Sequence, residues 1–406
     1  MLWLLIVSYP FSIYQLSLFG VNVRPNQAMI LFSFAILFLA SLTSNRLPGM
    51  NALTAGSLLI VIAGVFSTFI NQNFDLAAAK GFLNYLFFFL SAYIFSWLIR
   101  PENLDFINSL VVKVSAFIAA VILLQQFSYT LFNIKWLYPF CDFLTCADVA
   151  YDERHGAWGY AGGFMRPPAF FTSLNYSGLF LIPALLLLYG KMQLQEKKTK
   201  ILFLFILFAL VFSLSKNALA AFIVSILFFN LKFKKISLSF IKAIFLLTAI
   251  LLMVVLFFEI DIALKLSNQM KLWWNHIQAV VFVLVDNYGF GLGFQNYDSY
   301  VFNMGLVEKF GAHNNFIIIL GDTGILGLIG FLFPAIFMVH LTNKGKFLQR
   351  EFRFDKNYVL FLAYSSAFIG LFFAGLIRTY YVNLWSAMTF VMAMSYYRIL
   401  RHSYKK

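Results

Sequence analysis

His313 stands in the run AHNNFIIILGDTGILGLIGF, residues 312–331, where a long apolar stretch begins. An imidazole with an ordinary pKa of about 6.5 can act as a general base near neutral pH. Asn314 and Asn315 follow it. An Asn there can cap the first turn of a helix by accepting from its unpaired backbone N–H groups, and can help hold the ring. A His at the end of a membrane span is also a common interfacial residue, so its position alone supports either reading.

Cations recur at comparable places. Arg166 precedes Pro167 and Pro168 in RPPAFFTSLNYSG, residues 166–178. The prolines fix an extended approach to the next apolar run. A guanidinium there can donate two parallel hydrogen bonds to a phosphate, or it can anchor the chain by snorkelling. Asn175 falls inside the run, where it can hydrogen-bond within a bundle. Lys216, in SLSKNALAA (213–221), sits at a tight turn before another apolar run. Helix N–H groups and an ammonium would both meet an anion there, although a simple turn lysine has the same spacing.

Lys271 and His276 flank Trp273 and Trp274 in KLWWNHIQAVVFVLV, residues 271–285. This segment reads as an amphipathic helix lying on a bilayer, with the indoles at headgroup level. NYGFGLGFQNY (287–297) then places glycines at 289, 291 and 293. They permit a tight backbone path against a ligand or another helix, and their spacing is wrong for a dinucleotide fingerprint. Asp322 lies among Gly321, Gly324, Gly327 and Gly330, a face that lets another helix approach closely. An intramembrane carboxylate costs about 2.5–3.5 kcal/mol and needs a partner. Lys113 is one candidate, for a buried structural pair or for a direct role.

The elements that must position these residues are membrane spans. Of 406 residues, 62% are hydrophobic and 11% charged, against about 25% charged in soluble domains. Such a chain cannot cover itself with a polar surface, so lipid is its solvent. Apolar runs near the length that crosses about 30 Å of hydrocarbon fall at 2–20, 27–44, 52–70, 82–99, 106–132, 169–190, 201–214, 217–231, 237–258, 315–341, 357–377 and 380–397. The expected fold is all-α, a polytopic transmembrane helix bundle of about 12 spans forming a single integral membrane domain over 1–406. The first run has no basic start and no small-residue cleavage site, so it reads as a span and not a signal peptide.

With a cytoplasmic N-terminus, 18 of the 30 Lys and Arg residues fall in short inside loops and 10 outside. That is the positive-inside pattern, with both termini cytoplasmic. The net charge of +14 therefore reads as topology and contact with anionic membrane lipids. No basic patch interleaved with exposed aromatics suggests nucleic acid. Two long loops, 133–168 and 259–314, fall outside. Cys141 and Cys146 lie in the first, where an oxidising compartment allows a disulfide or leaves two thiols. With only His155 nearby they do not make a four-ligand zinc set, and no metal site is expected.

In order along the chain, Arg166 to Asn175, then Ser215-Lys216, then Trp273 with Gly291 and Gly293, then His313, Asn314, Phe316, Gly324 and Gly327, resemble the O-antigen polymerase and O-antigen ligase superfamily. The motifs cover roughly 160–335, and the topology covers the whole chain. Lys216 stands where the family often has Arg, and Leu328 departs from the ligase form of the His motif, which favours a polymerase.

The resemblance implies metal-independent, inverting glycosyl transfer in the bacterial cell inner membrane, without a cofactor. The donor would be an undecaprenyl-diphosphate-linked oligosaccharide at the periplasmic face. A polymerase would join repeat units, and a chain-length regulator would be a partner. The alternatives are a ligase that transfers the glycan to lipid A–core, and a lipid-linked sugar flippase or transporter. On this reading His313 is catalytic, and Arg166, Lys216, Lys271 and Arg378 hold the diphosphate. Asn175, Asn314, Gly291, Gly293 and Tyr297 contact substrate, and Trp158 and Tyr160 belong to the sugar-reading loops.

Overall fold

The structure, a computed structural model, describes residues 1–11, 14–18, 21–44, 49–132, 145–146, 167, 169–171, 174–196, 199–233, 262–305, 314–352, 355–377 and 383–404. The chain is a bundle of α-helices. The N-terminal half carries α1 (Leu2–Ser8), α2 (Pro25–Ser44), α3 (Ala52–Ile70), α4 (Leu76–Leu98), α5 (Leu104–Phe132), α6 (Leu174–Phe180) and α7 (Ile182–Gln193). The C-terminal half carries α8 (Thr199–Phe212), α9 (Lys216–Phe233), α10 (Ile262–Asp286), α11 (Tyr297–Asn303), α12 (Asn315–Phe352), α13 (Lys356–Ile377) and α14 (Leu384–Tyr404).

Among the described residues, α3, α4, α5, α9, α12 and α13 are long and apolar enough to cross a membrane, and α2 and α8 are shorter apolar helices. A polytopic helical membrane protein is therefore what the composition required. The run at 237–258 lies outside the described residues.

The first expected span, 2–20, is not one helix. α1 gives way to a single 3-10 turn at Tyr9–Phe11, then to strand β1 (Tyr14–Leu18). Pro10 cannot donate to a helix ladder. In Tyr14-Gln15-Leu16-Ser17-Leu18 polar and apolar residues alternate, which is a strand period. β1 pairs antiparallel with β2 (Val21–Val23), Leu18 opposite Val21, and on its other edge with β3 (Thr145–Cys146), Tyr14 opposite Cys146. The first long loop is thus tied to the hairpin that precedes α2. The question of the Cys141–Cys146 disulfide lies outside the described residues.

Packing centres on two helices. α13 touches α7, α9, α12 and α14 and is the most buried of the long spans. Without a hydrophobic drive between helices in lipid, interhelical hydrogen bonds and close packing must hold the bundle. Asn108 of α5 donates to the Tyr396 hydroxyl of α14 at 2.5 Å and accepts from the Tyr364 hydroxyl of α13 at 2.8 Å. α3 packs most extensively on α12. Gly56 and Gly330 face each other there, and a Cβ on either would overlap the other's carbonyl oxygen.

That contact has a direct test. Gly330→Leu forces α3 and α12 apart and is expected to destabilise the protein by about 1–3 kcal/mol, the usual cost of overpacking. A lower thermal unfolding temperature of the detergent-purified protein, with a smaller drop for Gly330→Ala, would show it.

Candidate functional site

α12 is broken inside its membrane-spanning stretch. Gly324 takes φ 72° and ψ −165°, so the helical ladder stops there and restarts. A buried backbone group left unpaired would be costly, and the glycine run of the second long loop supplies the missing partners. The Leu292 N–H donates to the Gly321 carbonyl at 2.8 Å and the Gly293 N–H to the Asp322 carbonyl at 2.9 Å. The Ile325 N–H donates back to the Gly289 carbonyl at 3.0 Å. A Cβ at Gly291 would overlap the Asp322 backbone, so only glycine fits this approach. The turn that follows α3 closes the other side. Asn71 donates to the Gly291 carbonyl and Asn73 to the Leu292 carbonyl, both at 2.8 Å.

Asp322 anchors the start of α11. Its side chain is 1% exposed. One carboxylate oxygen accepts from the Gln295 N–H at 3.0 Å and the other from the Tyr297 N–H at 3.1 Å. The carboxyl group therefore serves the first turn of that helix, whose free N–H groups need acceptors. Lys113, the partner considered from sequence, is exposed. Convergent backbone donors satisfy the carboxylate instead of a counter-charge. Gln295, clamped this way, sits at φ 56°, a left-handed conformation unusual outside glycine.

Tyr297 is fully buried. Its hydroxyl donates to the His276 carbonyl at 2.7 Å, and His276 Nδ1 lies 3.3 Å away. Burial, then Asp298 and Asp322, push the phenol above its ordinary range, so it stays a neutral donor that ties α11 to α10. α10 starts at Ile262, earlier than the 271–285 read from sequence. Trp274 is 60% exposed while Trp273 is partly buried.

Beside this assembly lies a cavity of about 630 Å³. Gln295, Asp298, Ser299, Asn315 and Asp322 form one part of its wall; Arg24, Asn26, Gln27, Asn84, Tyr85, Tyr176 and Asn383 are among the rest. It reaches from Gly81 to Ser91 on α4, about 15 Å at the helical rise. Three helices begin on it: α2 at Arg24 to Gln27, α12 at Asn315 and α14 at Asn383 and Leu384. Two of these starts are capped in the ordinary way. Asn314 Oδ1 accepts from the Phe316 N–H at 2.8 Å, and Asn383 Oδ1 from the Trp385 and Ser386 N–H groups at 2.9 Å. By connectivity the cavity lies on the side of the bundle where α3 and α5 end and α12 begins.

The residues singled out from sequence divide accordingly. Arg166, His313 and Arg378, with Trp158 and Tyr160, lie outside the described residues, as does the side chain of Asn175. Asn314 caps α12. Lys216 opens α9 and Lys271 lies on α10; both are exposed, and neither is on the cavity wall. Gly291, Gly293 and Tyr297 pack behind the wall, where they shape α11 and the α12 break. The described cation on the wall is Arg24, which motif reading passed over because it sits alone between apolar runs. Its signal was a basic residue directly before Pro at a helix start.

Replacing Asp322 tests the clamp. Asp322→Ala leaves the Gln295 and Tyr297 N–H groups without an acceptor, at about 1–3 kcal/mol each. Asp322→Asn keeps one acceptor oxygen and should lose less. Thermal unfolding and limited proteolysis within 287–297 would rank the variants, and equal stability of Asp322→Ala and the parent would refute the clamp.

Comparison with known proteins points to the same superfamily over part of the chain. A family model described as O-antigen ligase matches residues 201–332, which run from α8 through α11 into the broken part of α12. No curated protein and no solved structure matches the chain. The segment that builds the inserted loop, the Asp322 clamp and part of the cavity wall thus resembles an O-antigen ligase domain, consistent with the O-antigen polymerase and ligase superfamily.

Proposed function

We propose that the protein is an O-antigen polymerase, an enzyme that joins polyprenyl-diphosphate-linked oligosaccharide repeat units in this cavity. Its face would be the periplasmic side of a bacterial inner membrane, with both termini cytoplasmic. The observation that carries the reading is the cavity itself. It is a charged and amide-lined space inside an otherwise apolar bundle, walled in part by the family domain. Such a space suits a ligand with an apolar tail and a polar, anionic head. Asn315, on the wall, follows His313 by two residues.

In this mechanism His313 takes the proton from an acceptor sugar hydroxyl. The hydroxyl oxygen attacks the anomeric carbon, the bond from that carbon to the diphosphate oxygen breaks, and the configuration inverts. The departing lipid diphosphate gains the negative charge, so cations aimed at it lower the barrier. Arg24 on the wall supplies one, with Arg166 and Arg378 proposed beside it. No metal or cofactor enters this scheme. In a ligase the acceptor would be lipid A–core, and a chain-length regulator would act on a polymerase from outside the chain.

A transporter reading would take the discontinuous α12 as part of a pathway. Residues 289–293 fill that discontinuity with hydrogen-bonded backbone, which favours a fixed scaffold.

The surface polysaccharide of a deletion strain complemented with His313→Ala decides among these. A polymerase predicts core plus one repeat at normal protein level. Bare core would indicate a ligase, and inward-facing lipid-linked units a flippase. Normal polymer length would end the general-base role of His313.

A further inference from the structure

We infer that the start of α2, with Arg24 directly before its first residue, forms a subsite for the diphosphate of the lipid-linked donor, completed by Asn315 from the start of α12. The inference rests on the glycosyl-transfer reading above and adds to it a binding residue outside the segment matched by the family model. Three observations support it.

The first is an electrostatic misfit. The Arg24 carbonyl accepts the first helical bond of α2, from the Ala28 N–H at 3.0 Å, and Pro25 occupies the next position. Arg24 is therefore the N-cap. Side chains at N-caps ordinarily accept hydrogen bonds from the first free N–H groups, as Asn51 does for α3, where it accepts from Leu53 and Thr54 at 2.9 Å. A guanidinium has no acceptor, and its positive charge opposes the positive end of the dipole. Gln27 turns back to accept from the Arg24 N–H at 3.0 Å. This leaves the Asn26 and Gln27 N–H groups with no side-chain cap from Arg24. An anion at this point relieves the misfit, because it accepts from those N–H groups and neutralises the guanidinium.

The second observation is a buried donor. Asn315 is 6% exposed, it lines the same cavity, and its Nδ2 has no hydrogen-bond partner among the described residues. A buried amide donor left unmet is rare in folded proteins. A phosphoryl oxygen in the cavity would meet it. Asn26 Oδ1, also on the wall, is likewise unmet. A hydroxyl of the ligand or a turned amide would satisfy it.

The third is ligand class. Arg24 is half-buried in a cavity whose wall also carries the acidic residues Asp298 and Asp322. A small free anion gains little from so mixed a wall. A donor with a diphosphate joined to a hydroxyl-rich sugar matches it, because a wall that mixes hydroxyl, amide and acidic groups suits sugar hydroxyls while Arg24 takes the phosphoryl oxygens.

The test uses the full-length protein in lipid nanodiscs, with undecaprenyl diphosphate and undecaprenyl monophosphate as probes. The parent protein is expected to prefer the diphosphate. Arg24→Gln should weaken its binding by about tenfold or more, the scale of a lost charge-assisted contact, and should abolish the preference. Arg24→Lys, which keeps charge without the fork, should bind at an intermediate level. Asn315→Ala should weaken binding less than Arg24→Gln. Without ligand, Arg24→Gln should unfold at the same temperature as the parent or higher, since it removes a cation from the wrong helix end. A merely structural role for Arg24 predicts the opposite shift. If the parent binds the diphosphate lipid and both Arg24→Gln and Asn315→Ala bind it equally well, the subsite is refuted while the glycosyl-transfer reading stands. If the parent binds neither lipid, that reading fails as well.

Discussion

The site depends on one backbone exchange inside the membrane. A helix in hydrocarbon cannot leave its N–H and C=O groups unpaired, yet α12 stops its ladder at Gly324. The break is tolerated because an extended glycine segment, 289–293, enters it and exchanges hydrogen bonds with Gly321, Asp322 and Ile325. Each partner supplies what the other lacks, the loop giving N–H groups to two helix carbonyls and a carbonyl to one helix N–H. Asp322 then extends the arrangement by one step, since its carboxylate takes the first turn of α11 and so fixes where Gln295, Asp298 and Ser299 lie.

The cavity is built on that scaffold. One of its walls is α4, and its polar residues come from elements whose starts face the same side. Because the surrounding bundle is held by apolar packing and a few buried polar contacts such as Asn108 with Tyr364 and Tyr396, the cavity gathers charged groups into an otherwise apolar interior. Low dielectric there makes each of them count for more than it would at a surface.

Much of the scaffold is legible in the sequence. Apolar run length places α3, α5, α9 and α13 closely, and Asn314 is legible as a cap because Asn at a helix start has a specific job. The glycines at 289, 291 and 293 are legible as a tight path, but not as one that enters a helix. No local pattern announces a partner 30 residues away. The pairing of Asp322 with Lys113 fails for a related reason. Sequence displays counter-charges, whereas the partners here are backbone N–H groups, which nearly every residue carries. The first span fails because hydropathy outweighs the two-residue alternation of 14–18 and the break at Pro10. Arg24 escapes motif reading because it belongs to no motif and acquires its setting only when α2, α12 and α14 meet.

That meeting bears on modularity. The cavity wall draws on residues near positions 9–30, 81–91, 176, 295–322 and 383–384, while the domain matched by the family model spans 201–332. Grafting that domain alone into a relative would move the inserted loop and its carboxylate but leave behind the cation and two of the three helix starts. Substrate preference in such chimeras should therefore follow the host's terminal segments as much as the transplanted core.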